Sequence, residues 1–218
     1  TRAPSPELKP ALAEVTAAGG SAEIMALDLS DAPTIKAFAT AFLKKHDTLD
    51  VLVNNAGMEP GVFSFLDLDE AGWDATINTN LKGTWLMARA AARAWREAGQ
   101  GGNIVNIASI LAFRQQKGVT PYAVSKAGVV QLTKQIALEG ARFSLRCNAL
   151  APGYFRSAVS ARLLDSPEAE AFLRPIPQRR AGVLEDYDGA FLLLAGRASA
   201  HMTGQVITVD GGHLVSSL

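Results

Sequence analysis

Cysteine is almost absent from the 218-residue chain: Cys147 stands alone, so no internal disulfide framework can form. The three histidines, His46, His201 and His213, fall at no spacing that suits a metal site. Neither a G-x-S-x-G turn nor a Ser-His-Asp order is present, which leaves a hydrolase without its usual marks. Charge of either sign is not in excess. The 21 basic and 21 acidic residues give a formal net charge of zero, which invites neither nucleic acid nor an anionic membrane. No apolar run approaches the ~20 residues that cross a bilayer. The opening Thr1-Arg2-Ala3-Pro4-Ser5-Pro6 has no apolar stretch of the signal-peptide kind, so a cytoplasmic location is expected. Repeats, low-complexity segments and dividing linkers are also missing, and a single domain over residues 1–218 is expected.

What the chain does have is 48% hydrophobic residues, enough for a large core, arranged in alternating short and long segments. Ser5 and Pro6 read as the cap and first position of a helix over 7–18, which Gly19-Gly20 stops. Residues 24–27 read as a strand ending at Asp28-Leu29-Ser30. A helix over 31–46 follows, with Ile35, Phe38, Ala39, Phe42 and Leu43 at helical spacing and Lys44-Lys45-His46 at its C-terminus. Strands are expected at 49–53, 103–107, 145–150 and 206–209, and helices at 73–98, 121–143 and 184–195. Short apolar strands alternating with helices mean βα units. The expected fold is α/β, a doubly wound parallel sheet with helices on both faces.

Ligands of such sheets sit beyond the carboxyl ends of the strands. Standing there are Asp28, Asn54-Asn55-Ala56-Gly57, Ser109 and Pro152-Gly153, small and polar residues that are hard to read as core. Just downstream, Pro121-Tyr122-Ala123-Val124-Ser125-Lys126 opens a helix on which Tyr122 and Lys126 are i and i+4 and share a face. A cation beside a phenol favours the phenolate, so Lys126 is expected to lower the pKa of Tyr122 from its free value of about 10. Alone, Y-x-x-x-K is more readily a surface tyrosine and a solvated lysine; its company changes the reading.

In that company the chain resembles the short-chain dehydrogenases/reductases, nicotinamide-dependent oxidoreductases with a Rossmann-type fold. The resemblance rests on Asp28-Leu29, Asn54-Asn55-Ala56-Gly57, Asn80 in Asn80-Leu81-Lys82-Gly83, and Ser109, which stands 13 residues before Tyr122. It continues through Tyr122-x-x-x-Lys126, Asn148-Ala149-Leu150-Ala151-Pro152-Gly153 and Val209-Asp210-Gly211-Gly212, and covers the chain from about residue 20 onward. It implies a catalytic set of Asn80, Ser109, Tyr122 and Lys126. Tyr122 would be the acid in carbonyl reduction and the base in alcohol oxidation. Ser109 would donate to the substrate oxygen, Lys126 would lower the Tyr122 pKa and bond the nicotinamide ribose, and Asn80 would hold a relay water. For the cofactor, NAD or NADP, it implies Asp28 and Leu29 at the adenine, Asn54, Ala56 and Gly57 along the adenosine, Tyr122 and Lys126 at the ribose, and Pro152, Gly153, Phe155 and Ser157 at the nicotinamide. Phe155 is expected to crowd that pocket.

Plainer roles stand beside these. Asn80 and Ser109 could cap, Asp28 could be a surface acid, and Asn54 is expected to tie adjacent strands in any case. The substrate, a small carbonyl or alcohol compound, would lie under a lid at 154–180 offering Tyr154, Phe155, Val159, Leu163, Leu164, Phe172 and Leu173. Met58, Glu59, Leu111, Phe113, Gln115 and Gln116 would form the opposite wall. The Pro152–Phe155 region leans faintly towards gluconate-type dehydrogenases and acyl-carrier ketoreductases. The resemblance also implies a homotetramer, a dimer of dimers paired through the helices at 73–98 and 121–143. A non-catalytic nucleotide-binding regulator of the same fold is the alternative function. Finally, the family's first strand, glycine-rich turn, helix and second strand have no counterpart before Asp28, so an N-terminal βαβ portion of the fold is expected to be missing from these residues. Arg2 would stand near the adenosine 2′ position, without deciding between NAD and NADP.

Overall fold

The computed structural model describes residues 8–156, 160, 164–166 and 169–216. Helix α1 (Leu8–Ala17) leads to α2 (Ala32–Lys45) and strand β1 (Val51–Asn54). Then come α3 (Glu70–Ile77), α4 (Thr84–Glu97), β2 (Gly102–Ile107), α5 (Thr120–Gly140), β3 (Leu145–Pro152), the short α6 (Ala169–Leu173), α7 (Asp188–Ala195) and β4 (Val206–Val209). Local chemistry explains the starts. Asp31 caps α2 by accepting from Thr34 N–H at 3.0 Å, and Asp69 caps α3 by accepting from Gly72 N–H at 2.7 Å. Pro121 sits in the first turn of α5.

The described strands form one parallel sheet in the order β1-β2-β3-β4. Its two middle strands are buried on both faces, as a sheet covered by helices requires. One face carries Ile104 and Cys147 against Ala88, Ala91 and Trp95 of α4 and Ala137 of α5. The other carries Val105 and Leu150 against Leu194 of α7. Trp95 anchors the first layer. Its indole N–H donates to the Leu49 carbonyl, and its ring lies over Gly102, where a Cβ would stand 2.1 Å from the indole. Only glycine allows that contact.

Polar residues on the strands tie the loops down. Asn103 donates to the carbonyls of Leu194 and Ala195, Arg146 to those of Ser199 and Gly196, and Asn148 to that of Met202 while accepting from Gln205 N–H. Asn54 donates to Asn106 at 2.9 Å and so ties β1 to β2, as expected.

Three expectations need correction. Residues 24–27 form no strand. A strand exists through its ladder, and no described strand lies beside this segment. For the same reason β1 is an edge: beyond it Leu27, Phe38, Phe42, Leu43, Leu52, Val53 and Met87 line an apolar cleft. The single helix at 73–98 is two helices, starting earlier at Glu70 and joined by a π-helical turn at Asn78–Gly83. Such a turn adds a residue to the coil without breaking the apolar pattern, and it often marks a functional site. The helix at 121–143 ends as α-helix at Gly140 and finishes in a 3₁₀ turn at Ala141–Phe143, closed by Ser144 in the left-handed region (φ 59). The expected cap at Ser5-Pro6 lies outside the described residues.

Because Trp95 fills the space between α4, β2 and the Leu49 carbonyl, Trp95→Ala should cost about 3–5 kcal/mol of unfolding free energy. Urea denaturation followed by circular dichroism measures it; a loss under about 1 kcal/mol would mean that the layer collapses to fill the hole.

Candidate active site

The carboxyl ends of the parallel strands bring the chemistry together. β1 runs into Gly57, β2 into Ser109 and β3 into Gly153, while α5 lays its first turn across the same edge with Tyr122 and Lys126. The π-helical turn puts Asn80 inside, at 1% exposure. Its side chain accepts from Met58 N–H at 2.8 Å and donates to Met58 C=O at 2.9 Å and to Ser125 Oγ at 3.0 Å. Both amide hydrogens are therefore committed within the protein, and only a lone pair on Oδ1 is left for a water. Ser125 Oγ passes its own hydrogen to the Tyr122 carbonyl at 2.7 Å.

Ser109 accepts from Leu111 N–H at 3.1 Å, which leaves its hydroxyl hydrogen for Tyr122. That hydrogen bond pulls the Tyr122 pKa down, but burial pushes it up more strongly and the Glu59 charge adds to the rise. The expected depression by Lys126 is not found. The lysine is buried at 4% exposure, and its ammonium stands 5.6 Å from the Tyr122 ring centroid. It donates to the Ile107 carbonyl at 2.8 Å. Burial alone pushes its pKa down to about 8. Three N–H groups belong to an ammonium, so donors remain beyond the bond to Ile107.

The other sequence-predicted residues divide into two groups. Ala56 and Gly57 are exposed beside this centre; a Cβ at Gly57 would stand 3.3 Å from Asn80 Oδ1 and 3.5 Å from Lys126 Nζ. Gly153 packs so closely on Asp210 that a Cβ would stand 2.8 Å from its Cα. Leu29 lies against Gly83 of the π-helical turn, which places the Asp28-Leu29 loop along the same edge, and Asp28 accepts from Ser30 N–H and Oγ–H at 2.9 and 2.6 Å. Asn54 points to Asn106 and serves the sheet. Pro152 is the last residue of β3. Phe155 is turned away: its ring fills the space left by Gly182 and meets Tyr187 edge-on at 4.9 Å, so it does not crowd the centre as expected. Ser157, Val159 and Leu163 lie outside the described residues.

Sequence reasoning missed Asn106 and Ser125. Asn106 is fully buried, accepts from Asn54 and donates to Thr133 Oγ1 at 2.9 Å, linking β1, β2 and α5 under the site. An asparagine inside an otherwise apolar strand was the available signal, because a buried amide needs partners.

A family described as enoyl-(acyl carrier protein) reductase matches residues 3–213. A 3-oxoacyl-(acyl-carrier-protein) reductase from Chlamydia pneumoniae is 37% identical over 91% of this chain and 79% of its own. The chain belongs to the short-chain dehydrogenases/reductases. A 2-dehydro-3-deoxy-D-gluconate 5-dehydrogenase from Escherichia coli is 36% identical over 92% of this chain and 79% of its own. A gluconate 5-dehydrogenase from Burkholderia cenocepacia, solved with NADP and tartrate, superposes with a TM-score of 0.89 at 30% identity, covering 95% of this chain and 81% of that one. The residues present fit a dinucleotide. Backbone bare of a side chain at Gly57 borders a buried ammonium with donors to spare, and a side chain there would fill that approach.

A buried ammonium has a testable cost. Folded, Lys126 loses its proton near pH 8; unfolded, it keeps the ordinary value of 10.5. Below pH 8 the folded chain bears the full penalty, and between about 8 and 10.5 the penalty fades as the folded form sheds the charge. Lys126→Met should therefore be more stable than the parent by about 1–3 kcal/mol at pH 7, with the gap shrinking by pH 10. Denaturation midpoints across that range measure it; a gap independent of pH would show that the ammonium bears no burial penalty.

Proposed function

We propose that the protein is an NAD(P)-dependent oxidoreductase that moves a hydride between the nicotinamide and a carbonyl or secondary-alcohol substrate, with Tyr122 as acid and base. The observation that carries this reading is the Ser109–Tyr122 hydroxyl pair with the buried Lys126 ammonium behind it, at the carboxyl edge of a parallel sheet. The bound dinucleotide supplies the hydride. In reduction, Tyr122 passes its hydroxyl proton to the substrate oxygen while Ser109 donates a hydrogen bond to the charge that develops there. In oxidation the same phenol, deprotonated, takes the proton back. Lys126 holds the nicotinamide ribose, Gly57 lets the backbone pass close to the adenosine, and Asn80 keeps the loop at Met58 in register with the helix of Tyr122.

Several finer readings belong with this one. The chain acts as a single domain over residues 1–218, and the 154–180 segment covers the substrate. Asp28, Leu29 and Ala56 border the adenosine, and Pro152, Gly153 and the backbone of Phe155 border the nicotinamide. No helix among the described residues is long and apolar enough to cross a membrane, and we place the protein in the cytoplasm as a homotetramer. Support for assembly comes from α4 and α5. Trp85, Val124 and Leu138 are exposed there, and a groove between the helices has an apolar floor at Ala88, Ala92, Ile136 and Phe143. A monomeric mass by light scattering at micromolar concentration would remove the tetramer. The regulatory alternative has less support, because Asn80, Ser109, Tyr122 and Lys126 are all present.

Tyr122→Phe should abolish turnover of any substrate found with NADH or NADPH and leave dinucleotide affinity within a few-fold. Stopped-flow absorbance and fluorescence titration separate the two, and near-parental kcat in this variant ends the assignment. Because burial holds Tyr122 above its ordinary pKa of 10, alcohol oxidation should climb steadily into the alkaline range where chemistry limits the rate.

A further inference from the structure

His213 is a buried titratable group that the reaction does not use. Two glycines in the left-handed region, Gly211 (φ 63) and Gly212 (φ 87), turn the chain back after β4 into a 3₁₀ turn at His213–Val215. His213 is 4% exposed there, and among the described residues its Nδ1 has no hydrogen-bond partner. Three segments converge on it. From the loop after β2, Arg114 donates to the His213 carbonyl at 3.0 Å and to Ser216 Oγ at 3.4 Å. From the end of β3, the Tyr154 ring packs on the imidazole with centroids 5.7 Å apart. From the end of β4, Asp210 accepts from Gly212 N–H at 2.9 Å and from Leu214 N–H at 2.8 Å, one on each carboxylate oxygen. The Tyr154 hydroxyl in turn donates to Gln116 Oε1 at 2.5 Å, two residues beyond Arg114. The contacts thus close a ring through Arg114, His213, Tyr154 and Gln116. Arg114 and Gln116 belong to the segment that runs from Ser109 to α5, so the ring braces that segment against the end of β3.

The ring suits a neutral imidazole. A proton added to His213 makes donors of both its nitrogens and places a cation beside the Arg114 guanidinium in a dry space. Arg114, Asp210 and Tyr154 are the charged or titratable groups that face it among the described residues. Asp210 attracts the proton, but both its oxygens already accept backbone N–H groups, and the Tyr154 hydroxyl hydrogen is committed to Gln116. Burial and the Arg114 charge outweigh Asp210 and hold the imidazole below its ordinary value of 6.5.

We propose that the ring is an acid-sensitive clasp: neutral His213 keeps the C-terminal turn docked between Arg114 and Tyr154, and uptake of a proton by His213 undocks the turn and frees the Ser109–α5 segment from its brace. The clasp is a property of the fold and does not rest on the oxidoreductase reading. Docked, His213 binds its proton only below 6.5; undocked, it binds at the ordinary value. Undocking therefore takes up a proton between 6.5 and the lower docked value, and in that window it becomes easier by up to about tenfold for each pH unit lost.

Amide hydrogen exchange, read residue by residue by NMR on the full chain, tests this. The N–H groups of Leu214, Val215 and Ser216 donate to Asp210, Gly212 and His213 while the turn is docked. As pH falls from about 7 to about 5, their protection factors in the parent should drop by up to about tenfold per unit below 6.5. The ring signal of Tyr154, assigned by Tyr154→Phe among the three tyrosines, should shift with the same midpoint. His213→Phe keeps a flat ring against Tyr154 and takes up no proton, so protection and the Tyr154 signal should both stay level over this range. His213→Gln, also neutral throughout, should behave the same way and stands in where the Phe variant does not fold. Protection that stays level in the parent overturns the proposal. So does a drop of equal size in the parent and the His213 variant, or a Tyr154 signal that does not follow the titration of His213.

Discussion

The side chain of one asparagine sets the geometry of this site. Asn80 holds the backbone of Met58 by both its N–H and its C=O and reaches Ser125 on α5 with its remaining hydrogen. Three elements that are distant in sequence, the loop after β1, the turn between α3 and α4, and the helix of Tyr122, thereby share one buried amide. Such a node is stable only when every donor and acceptor is met, since an orphan amide in a dry interior costs about 1–3 kcal/mol. The π-helical turn is what lets it happen. An ordinary turn would leave the chain one residue shorter there, and Asn80 would face elsewhere.

Much of this is legible in the sequence. The strand ends at Asn54, Ser109 and Pro152-Gly153, the alternation of strand and helix, and the facing pair Tyr122 and Lys126 all follow from period, turn chemistry and i,i+4 spacing. So does the tie from Asn54 to the next strand. What escapes does so for physical reasons. Whether residues 24–27 make a strand is a property of their neighbours, and no periodicity records a neighbour. A π-helical turn changes hydrogen-bond register while leaving apolar spacing almost untouched. The direction of Phe155 depends on Gly182, and the partner of Lys126 on a main-chain oxygen of β2; neither relation is local in sequence.

Dryness serves the site in two opposed ways. It pushes the Tyr122 phenol up, keeping a proton on it at neutral pH, and pushes the Lys126 ammonium down, keeping that cation weakly held and ready for an oxygen ligand. The fold bears the cost through apolar layers on both faces of β2 and β3. A strained or desolvated centre carried by a well-packed scaffold is the usual division between activity and stability.

The all-parallel register also governs how this chain reaches its native state. Ladder partners lie far apart along it: Val51 meets Asn103, Gly102 meets Leu145 and Ala149 meets Val206. Roughly 40 to 60 residues must be gathered before each pairing yields its first hydrogen bond, and loop-closure entropy sets that cost. The mature sheet is thus assembled late, from helices that form early. Trp95, joining α4 to the Leu49 carbonyl and to Gly102, is well placed to be among the first contacts that span such a gap. Strands that wait for partners so distant in sequence are the part of an incompletely folded chain most open to aggregation.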